Sequence, residues 1–309
     1  MLTPFTADRQ IDWPGLDALV DWYIAGNSQG LFAACLSSEI FHLTPDERLA
    51  VVRRTLARAK GRLPVIAAAA FPTDVSLQSA VSSTAAITAA VQRVADTGVE
   101  AVILLTNQFV TDQEGDEVWL RSAEALLDRL DHRIRLGLYE CPIPYKRVLS
   151  PNLIAWAAQT GRFDFIKDTC CDLAQIKAKI AATAGTSLRF YNAQTATLLP
   201  SLQSGGHGFS GVGANTLPHL YAWLCQNFAA EPALAGELQV FLTASYFALS
   251  SHYPHSTKTY LGLHGLPITP VSRVAGNQIL AKDITVLHAL HADVIQWEQR
   301  LGLQSPFSP

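Results

Sequence analysis

FDFIKD, residues 163–168, is an apolar run closed by a lysine and an acid, and TCCD (169–172) follows it. Phe163, Phe165 and Ile166 suit a buried strand. Lys167 does not, because burial disfavours its charged form. Runs of the same kind recur on both sides: GLFAACLSS (30–38), LPVIAAAAF (63–71), EAVILLTNQ (100–108), IRLGLYECP (134–142), LRFYNAQ (188–194) and GHGFSGVGAN (206–215). Most are continuous rather than alternating in hydrophobicity, the pattern of parallel strands covered on both faces.

Helical patterns lie between these runs. In LTPDERLAVVRRTLARA, Thr44 is an N-cap, Pro45 the first helical residue and Glu47 the reciprocal partner of the cap, after which Leu49, Val52 and Leu56 mark one face. SPNLIAWAAQ starts alike, with Ser150 as cap and Pro151 next. The strand-to-strand interval is roughly 25–35 residues, the length of one βα unit. Seven runs are visible, and MLTPF at the start reads as the end of an eighth. The pattern predicts an α/β fold, a (β/α)8 TIM barrel over residues 1–230. Helices are expected over roughly 217–228, 234–250, 256–263 and 282–301. Residues 231–309 read as a C-terminal helical extension packed on the barrel, since no Gly/Ser linker separates them.

Among the 309 residues, 49% are hydrophobic and 16% charged, with a formal net charge of −3. This composition excludes disorder. No basic face exists for a nucleic acid, and no apolar run approaches the roughly 20 residues that cross a bilayer. The start lacks a signal-peptide pattern. Five cysteines without CxxC or metal-ligand spacing fit reduced thiols and a cytoplasmic location. They read as small core residues, with Cys170 and Cys171 on opposite faces of a strand end. No metal or other cofactor is expected.

In such barrels chemistry stands at the C-terminal ends of the strands. The residues there are Ser37, Ser38 and Glu39; Thr106, Asn107 and Gln108; Tyr139, Glu140 and Cys141; Lys167 and Asp168; Asn192 and Gln194; and the glycine-rich turn containing Phe209. A lysine buried there holds part of its population as free amine, a nucleophile that forms a Schiff base with a carbonyl. Tyr139, one strand away, is within reach as an acid/base group. On pattern alone, Lys167 can equally be a solvated lysine paired with Asp168.

The layout resembles the dihydrodipicolinate synthase / N-acetylneuraminate lyase family over nearly the whole chain. LTPF with IDWPGL is similar to that family's opening, and CLSSEIFHLTPDER falls where it has a GTTGE segment. LYECP matches the strand with its catalytic tyrosine, FIKDT the strand with its Schiff-base lysine, and GFSGVGANTLP its glycine-rich segment. The resemblance implies Lys167 as the imine-forming residue and Tyr139 as the proton shuttle. It also implies a 2-oxo acid substrate whose carboxylate is held by Ser37 and more weakly by Ser38, and a homo-oligomer, dimer or tetramer. Asn192 and Phe209 are further candidate contacts, and the glycines of the turn are expected to let the backbone approach the bound acid.

The departures bear on substrate. Leu36 stands in place of the family's relay threonine, and the loop after residue 105 carries Phe109 and no tyrosine. Pro144 stands where synthases of the family carry a carboxylate-gripping arginine. The nearest bases, Lys146 and Arg147, can form a displaced anion clamp or simply begin the next helix facing solvent, with Glu140 pairing with one of them. His207 reads as a loop residue.

The expected function is therefore a Schiff-base lyase, aldolase or dehydratase, acting on pyruvate or a hydroxylated 2-oxo acid, rather than a true dihydrodipicolinate synthase. The protonated imine is the electron sink, so no metal is required. The alternatives are a non-catalytic 2-oxo-acid binding protein and a phosphate-binding barrel enzyme.

Overall fold

Asp12 opens the first helix by accepting a hydrogen bond from the Gly15 amide (3.0 Å), and from there helices and strands alternate. The computed structural model describes residues 1–70, 83–275 and 279–306; Phe71, the end of one predicted strand run, lies outside them. The order is α1 (Trp13–Ala25), β1 (Leu31–Ala33), α2 (Pro45–Ala59), β2 (Val65–Ala68), α3 (Thr84–Ala95), β3 (Ala101–Leu105), α4 (Asp116–Leu127) and β4 (Leu136–Tyr139). It continues with α5 (Pro151–Gln159), β5 (Phe163–Asp168), α6 (Leu173–Ala182), β6 (Arg189–Asn192), α7 (Leu198–Gln203), β7 (Gly208–Phe209) and α8 (Pro218–Asn227). Three helices follow: α9 (Pro232–Ser250), α10 (His255–Leu263) and α11 (Ala281–Leu301). None of the described helices is long and apolar enough to cross a membrane.

The seven strands form one parallel sheet in sequence order, β1 to β7, the plan of a TIM barrel. The expected eighth strand is a correction. Met1–Phe5 makes an isolated bridge, Phe5 to Ile11, and is otherwise held by single polar contacts: the Met1 amino group donates to the Phe32 carbonyl of β1 (2.9 Å), the Leu2 amide to the Tyr23 hydroxyl (3.3 Å) and Thr269 Oγ1 to the Phe5 carbonyl (2.7 Å). Ser38 Oγ donates to the Met1 carbonyl (2.8 Å) and Thr3 Oγ1 to the Ser38 carbonyl (2.9 Å).

The caps predicted from sequence form. Thr44 Oγ1 accepts from the Glu47 amide (3.2 Å) while Glu47 accepts from the Thr44 amide (2.8 Å), and Ser150 Oγ accepts from the Leu153 amide (3.3 Å). Strand β3, AVILL, is buried along its whole length, as both-face coverage requires. Trp119 of α4 is fully buried between Phe109 and Trp156 (ring centroids 5.1 and 6.0 Å) and donates to the Thr106 carbonyl (3.0 Å).

Polar side chains bind the last helices to the barrel. Gln239 of α9 donates to the Thr195 carbonyl (2.8 Å) and accepts from the Leu199 amide (2.9 Å). Lys258 of α10 reaches Glu39 after β1 (2.6 Å, both buried). The other oxygen of Glu39 accepts from Ser272 Oγ and the Arg273 amide (2.8 and 2.7 Å).

Gly137, two residues before Tyr139, is a packing requirement. A Cβ there would stand 2.5 Å from Ile103 Cδ1 and 3.0 Å from both Phe165 Cβ and its carbonyl oxygen. Gly137→Ala is expected to destabilise the protein by about 1–3 kcal/mol, read as a lower urea midpoint. An unchanged midpoint would contradict this rigid seating of β4 between β3 and β5.

Candidate active site

Tyr139 is the last residue of β4 and pairs in register with Lys167 of β5. Both side chains turn inward, because neighbours in a parallel pair share a face and successive residues alternate. The Lys167 Nζ stands over the Tyr139 ring, 4.4 Å from its centroid, and 5.7 Å from that of Phe32 of β1. It opens on a small cavity, open to solvent, lined by Phe32, Cys35, Ser37, Lys167, Phe209 and Asn215 among others.

Among the described residues no carboxylate faces Lys167. Burial pushes its ammonium below the usual lysine range, and the Cys35 and Cys141 thiols oppose this only in part. The amine is therefore more nucleophilic at neutral pH than a solvated lysine. Burial holds the Tyr139 phenol well above its ordinary 10, a direction the nearby Cys141, Cys35 and Tyr253 reinforce. The phenol is thus a protonated donor beside a partly neutral amine, the pair that carbinolamine formation and collapse need.

The residues that follow these two point outward and meet behind the sheet. Lys179, within the apolar stripe of α6 between Ile176 and Ile180, places Nζ 2.6 Å from Glu140 Oε1 and 2.5 Å from Asp168 Oδ2, all three side chains being fully buried. Glu140 also accepts the Leu149 and Thr169 amides (2.9 Å each). Burial, then the Asp168 carboxylate, raise Glu140 to about 7 against the pull of Lys179. Burial works against the Lys179 charge, yet Glu140 and Asp168 together raise it. Glu140 thus pairs with Lys179, correcting the expectation of Lys146 or Arg147, and Asp168 pairs with Lys179 rather than Lys167.

Of the other expected contacts, Ser37 and Phe209 line the cavity; four do not. Ser38 Oγ is taken by the Met1 carbonyl and the Cys35 amide (2.8 and 3.1 Å). Asn192 donates to Thr197 Oγ1 (2.9 Å) and accepts from the Gln194 amide (2.7 Å), closing the turn after β6. Lys146 binds the Thr169 carbonyl (2.9 Å). Arg147 binds the Glu114 carbonyl and Asp116 (2.6 Å each) at the start of α4. Neither base clamps an anion at the cavity, and neither begins a helix, since α5 starts at Pro151.

In the glycine turn a Cβ on Gly211 would stand 2.2 Å from the Phe209 ring and 2.3 Å from the Ala193 carbonyl, and one on Gly213 2.1 Å from the Tyr221 hydroxyl. These glycines make room for the protein's own rings and backbone, and Gly211 also borders the cavity. His207 accepts from the Phe190 amide (3.1 Å), a structural contact. Cys171 is exposed rather than in the core, because the strand has ended at Asp168. No group of three or more metal-ligating side chains occurs among the described residues.

Sequence reasoning missed Tyr23, Asn215 and Tyr253, which stand together beside Ser37. They lie on three separate segments, and no local pattern marks them as neighbours.

A barrel with a buried lysine and a phenol paired at the ends of adjacent strands defines the class: an enzyme of the class I aldolase or lyase type. The chain matches the Dihydrodipicolinate synthetase family over residues 1–275, and it belongs to that family. Among its relatives, the 4-hydroxy-tetrahydrodipicolinate synthase of Acidobacterium capsulatum is 31% identical over 288 residues, 88% of this chain and 89% of the relative. That of Pseudoalteromonas atlantica is 29% identical over 236 residues, 76% and 74% of the two chains. The chloride-inhibited dihydrodipicolinate synthase of Acinetobacter baumannii, solved with pyruvate, has the same fold. It superposes with a TM-score of 0.81 at 23% identity, covering 95% of this chain and 96% of that one.

Proposed function

We propose that Lys167 forms a Schiff base with the C2 carbonyl of pyruvate or a hydroxylated 2-oxo acid, for aldol cleavage or dehydration rather than dihydrodipicolinate synthesis. The observation that carries this reading is the Lys167 amine, buried without a carboxylate partner, over the Tyr139 ring at the cavity. The amine attacks C2, the Tyr139 phenol gives its proton to the departing hydroxide, and water leaves as the C=N bond forms. In aldol cleavage the C3–C4 bond breaks toward the iminium. Its electron pair becomes an enamine, and the C4 hydroxyl proton returns to Tyr139. In dehydration the Tyr139 phenolate takes a C3 proton to give the enamine, and returns it to the C4 hydroxyl, which leaves as water as the enamine pair forms the C3–C4 double bond.

Pyruvate bound to the Acinetobacter relative supports a 2-oxo acid as substrate. Pro144 in place of an arginine, together with Arg147 turned to Glu114 and Asp116, supports a reaction without a second carboxylate gripped at that point. A homo-oligomer follows only from the family resemblance, and the five free cysteines support a cytoplasmic location.

Borohydride reduction with pyruvate is expected to leave a covalent adduct on Lys167, read by intact mass and peptide mapping. No adduct with any 2-oxo acid would favour the non-catalytic binding protein instead. The pH dependence has a defined sign. Burial lowers the Lys167 pKa, so the free amine is populated at lower pH, and the midpoint of the adduct-forming rate is expected below the ordinary 10.5. A midpoint at or above 10.5 would contradict the buried, unpaired amine.

A further inference from the structure

Cys35 follows β1 and is 2% exposed, and among the described residues it is the only cysteine that lines the cavity shared with Lys167. Its backbone is fixed, since the Cys35 amide donates to Ser38 Oγ (3.1 Å). Its sulfur has only long contacts, with the Met1 amino group and Ser38 Oγ (3.6 Å each) and the Met1 carbonyl (3.9 Å). A thiol is a weak donor and a weak acceptor, so such contacts leave the sulfur available for reaction. Cys141, by contrast, is fully buried with Sγ on the Ile143 carbonyl (3.5 Å), and Cys171 is exposed to solvent.

A buried thiol by itself is packing. What distinguishes this one is its company: the Lys167 amine, 7% exposed and without a hydrogen-bond partner among the described residues, opens on the same cavity. Because the cavity is small, a 2-oxo acid joined to Lys167 through C2 brings its next carbons against the wall that Cys35 forms. Burial alone would raise the Cys35 thiol. The Met1 amino group and Lys167 more than offset this and bring it down to about 7, so thiolate is present at neutral pH.

We propose that Cys35 is a second covalent site of this cavity, taking 2-oxo acids with a C3–C4 double bond by addition of its thiol to C4. This rests on the Schiff-base reading above and extends it, because dehydration of a 4-hydroxy-2-oxo acid on Lys167 ends at such a conjugated iminium. The sulfur bonds to C4, the C3–C4 π pair moves to C2–C3 as an enamine, and the thiol proton ends on C3. Nothing leaves, and no oxidant or reductant is consumed. Loss of the C3 proton reverses the step and frees the thiolate. The two nucleophiles divide the ligand between them: the amine takes the carbonyl carbon C2, the polarisable sulfur the conjugated carbon C4. Unsaturated product that lingers on Lys167 is thus held as a thioether, whereas a saturated 2-oxo acid offers Cys35 no acceptor.

2-Oxopent-3-enoate and its saturated analogue 2-oxopentanoate test this on the full chain, with intact mass after an acid quench and peptide mapping. The unsaturated acid is expected to leave one thioether, on Cys35, at a rate that excess pyruvate lowers about tenfold by occupying the cavity. The saturated acid should leave none. Cys35→Ala should lose the thioether, and Cys171→Ala, changed at an exposed position, should label as the wild type does. A bulky maleimide should reverse the order and take Cys171 before Cys35. In the wild type, no thioether on Cys35, equal labelling of Cys35 and Cys171 by the enoate, or labelling that pyruvate does not slow would overturn the inference. Borohydride trapping with pyruvate keeps the two readings apart. A Lys167 adduct without a Cys35 thioether would leave the Schiff base standing and sink the second site. A pyruvate-protected thioether on Cys35 with no borohydride adduct would sink the imine and leave the thiol site standing.

Discussion

Lys167→Met is expected to abolish the pyruvate adduct and, at the same time, to stabilise the fold by about 0.5–2 kcal/mol. Loss of the adduct follows from chemistry, since a thioether offers no amine, no other lysine among the described residues lines the cavity, and the Met1 amine beside it is held by the Phe32 carbonyl (2.9 Å). The gain in stability follows from burial. The Lys167 ammonium is desolvated with no carboxylate beside it, whereas methionine is similar in length and gains from the same surroundings of Phe32 and Tyr139. The pH dependence gives an independent check. A lysine whose folded pKa lies below its unfolded value binds fewer protons folded than unfolded. Wild-type stability therefore rises with pH through the window from the folded pKa up to 10.5, and this rise is expected to be smaller in the methionine variant. Denaturant midpoints across that range, with intact-mass trapping, check both halves. Retained adduct on another residue would sink the assignment of Lys167. A methionine variant less stable than wild type would mean that the amine is paired in a way the geometry does not show.

Lys179→Met should act in the opposite direction and cost about 3–5 kcal/mol. Glu140 and Asp168 are fully buried, and Lys179 is the cation between them (2.6 and 2.5 Å). Removing it leaves two carboxylates in a low-dielectric space, where repulsion adds to desolvation. The damage is expected to ease in acid. Glu140 already titrates at about 7 rather than near 4.5 in the folded protein, through burial and Asp168. A carboxyl raised on folding binds protons that the unfolded chain has released, so its contribution to stability falls as pH climbs from 4.5 toward 7. With Lys179 gone this slope should steepen. Chemical denaturation at several pH values tests the point, and Glu140→Gln added to Lys179→Met should recover part of the loss. A Lys179→Met protein as stable as wild type at neutral pH would refute the role of this buried triad. Because Glu140 and Asp168 directly follow Tyr139 and Lys167, the triad joins β4 to β5 behind the candidate pair.

Much of the fold was legible from local signals. Runs such as AVILL and LGLY with caps at Thr44 and Ser150 predicted a βα series, and those strands and caps form in the structure. These features depend on residues within one turn of each other, so the order along the chain suffices to read them. MLTPF misled, because a strand is made by a pairing partner and not by its own residues; Met1–Phe5 meets several segments through single contacts and one isolated bridge rather than a ladder.

The site divides along the same line. Lys167 and Tyr139 stood out because a lysine and a phenol at the ends of adjacent buried strands must face one another once the strands pair in register. Ser38, Asn192, Lys146 and Arg147 stood at equally suggestive places, yet each found a nearer backbone or carboxylate partner, and hydrogen bonds that close a turn cannot be read from residue type alone.

By itself, the sequence determined the succession of strands and helices, which follows from periodicity and local capping, and the family resemblance marked Lys167 and Tyr139; the register that sets one against the other came with strand pairing. Only the tertiary structure decided the company each side chain keeps. Lys179 is drawn between Glu140 and Asp168, and Asn215 is bonded to Tyr23 and Tyr253 from two separate helical segments. Charges and hydroxyls act over a few ångströms, and which of them come that close is settled by how the chain closes on itself.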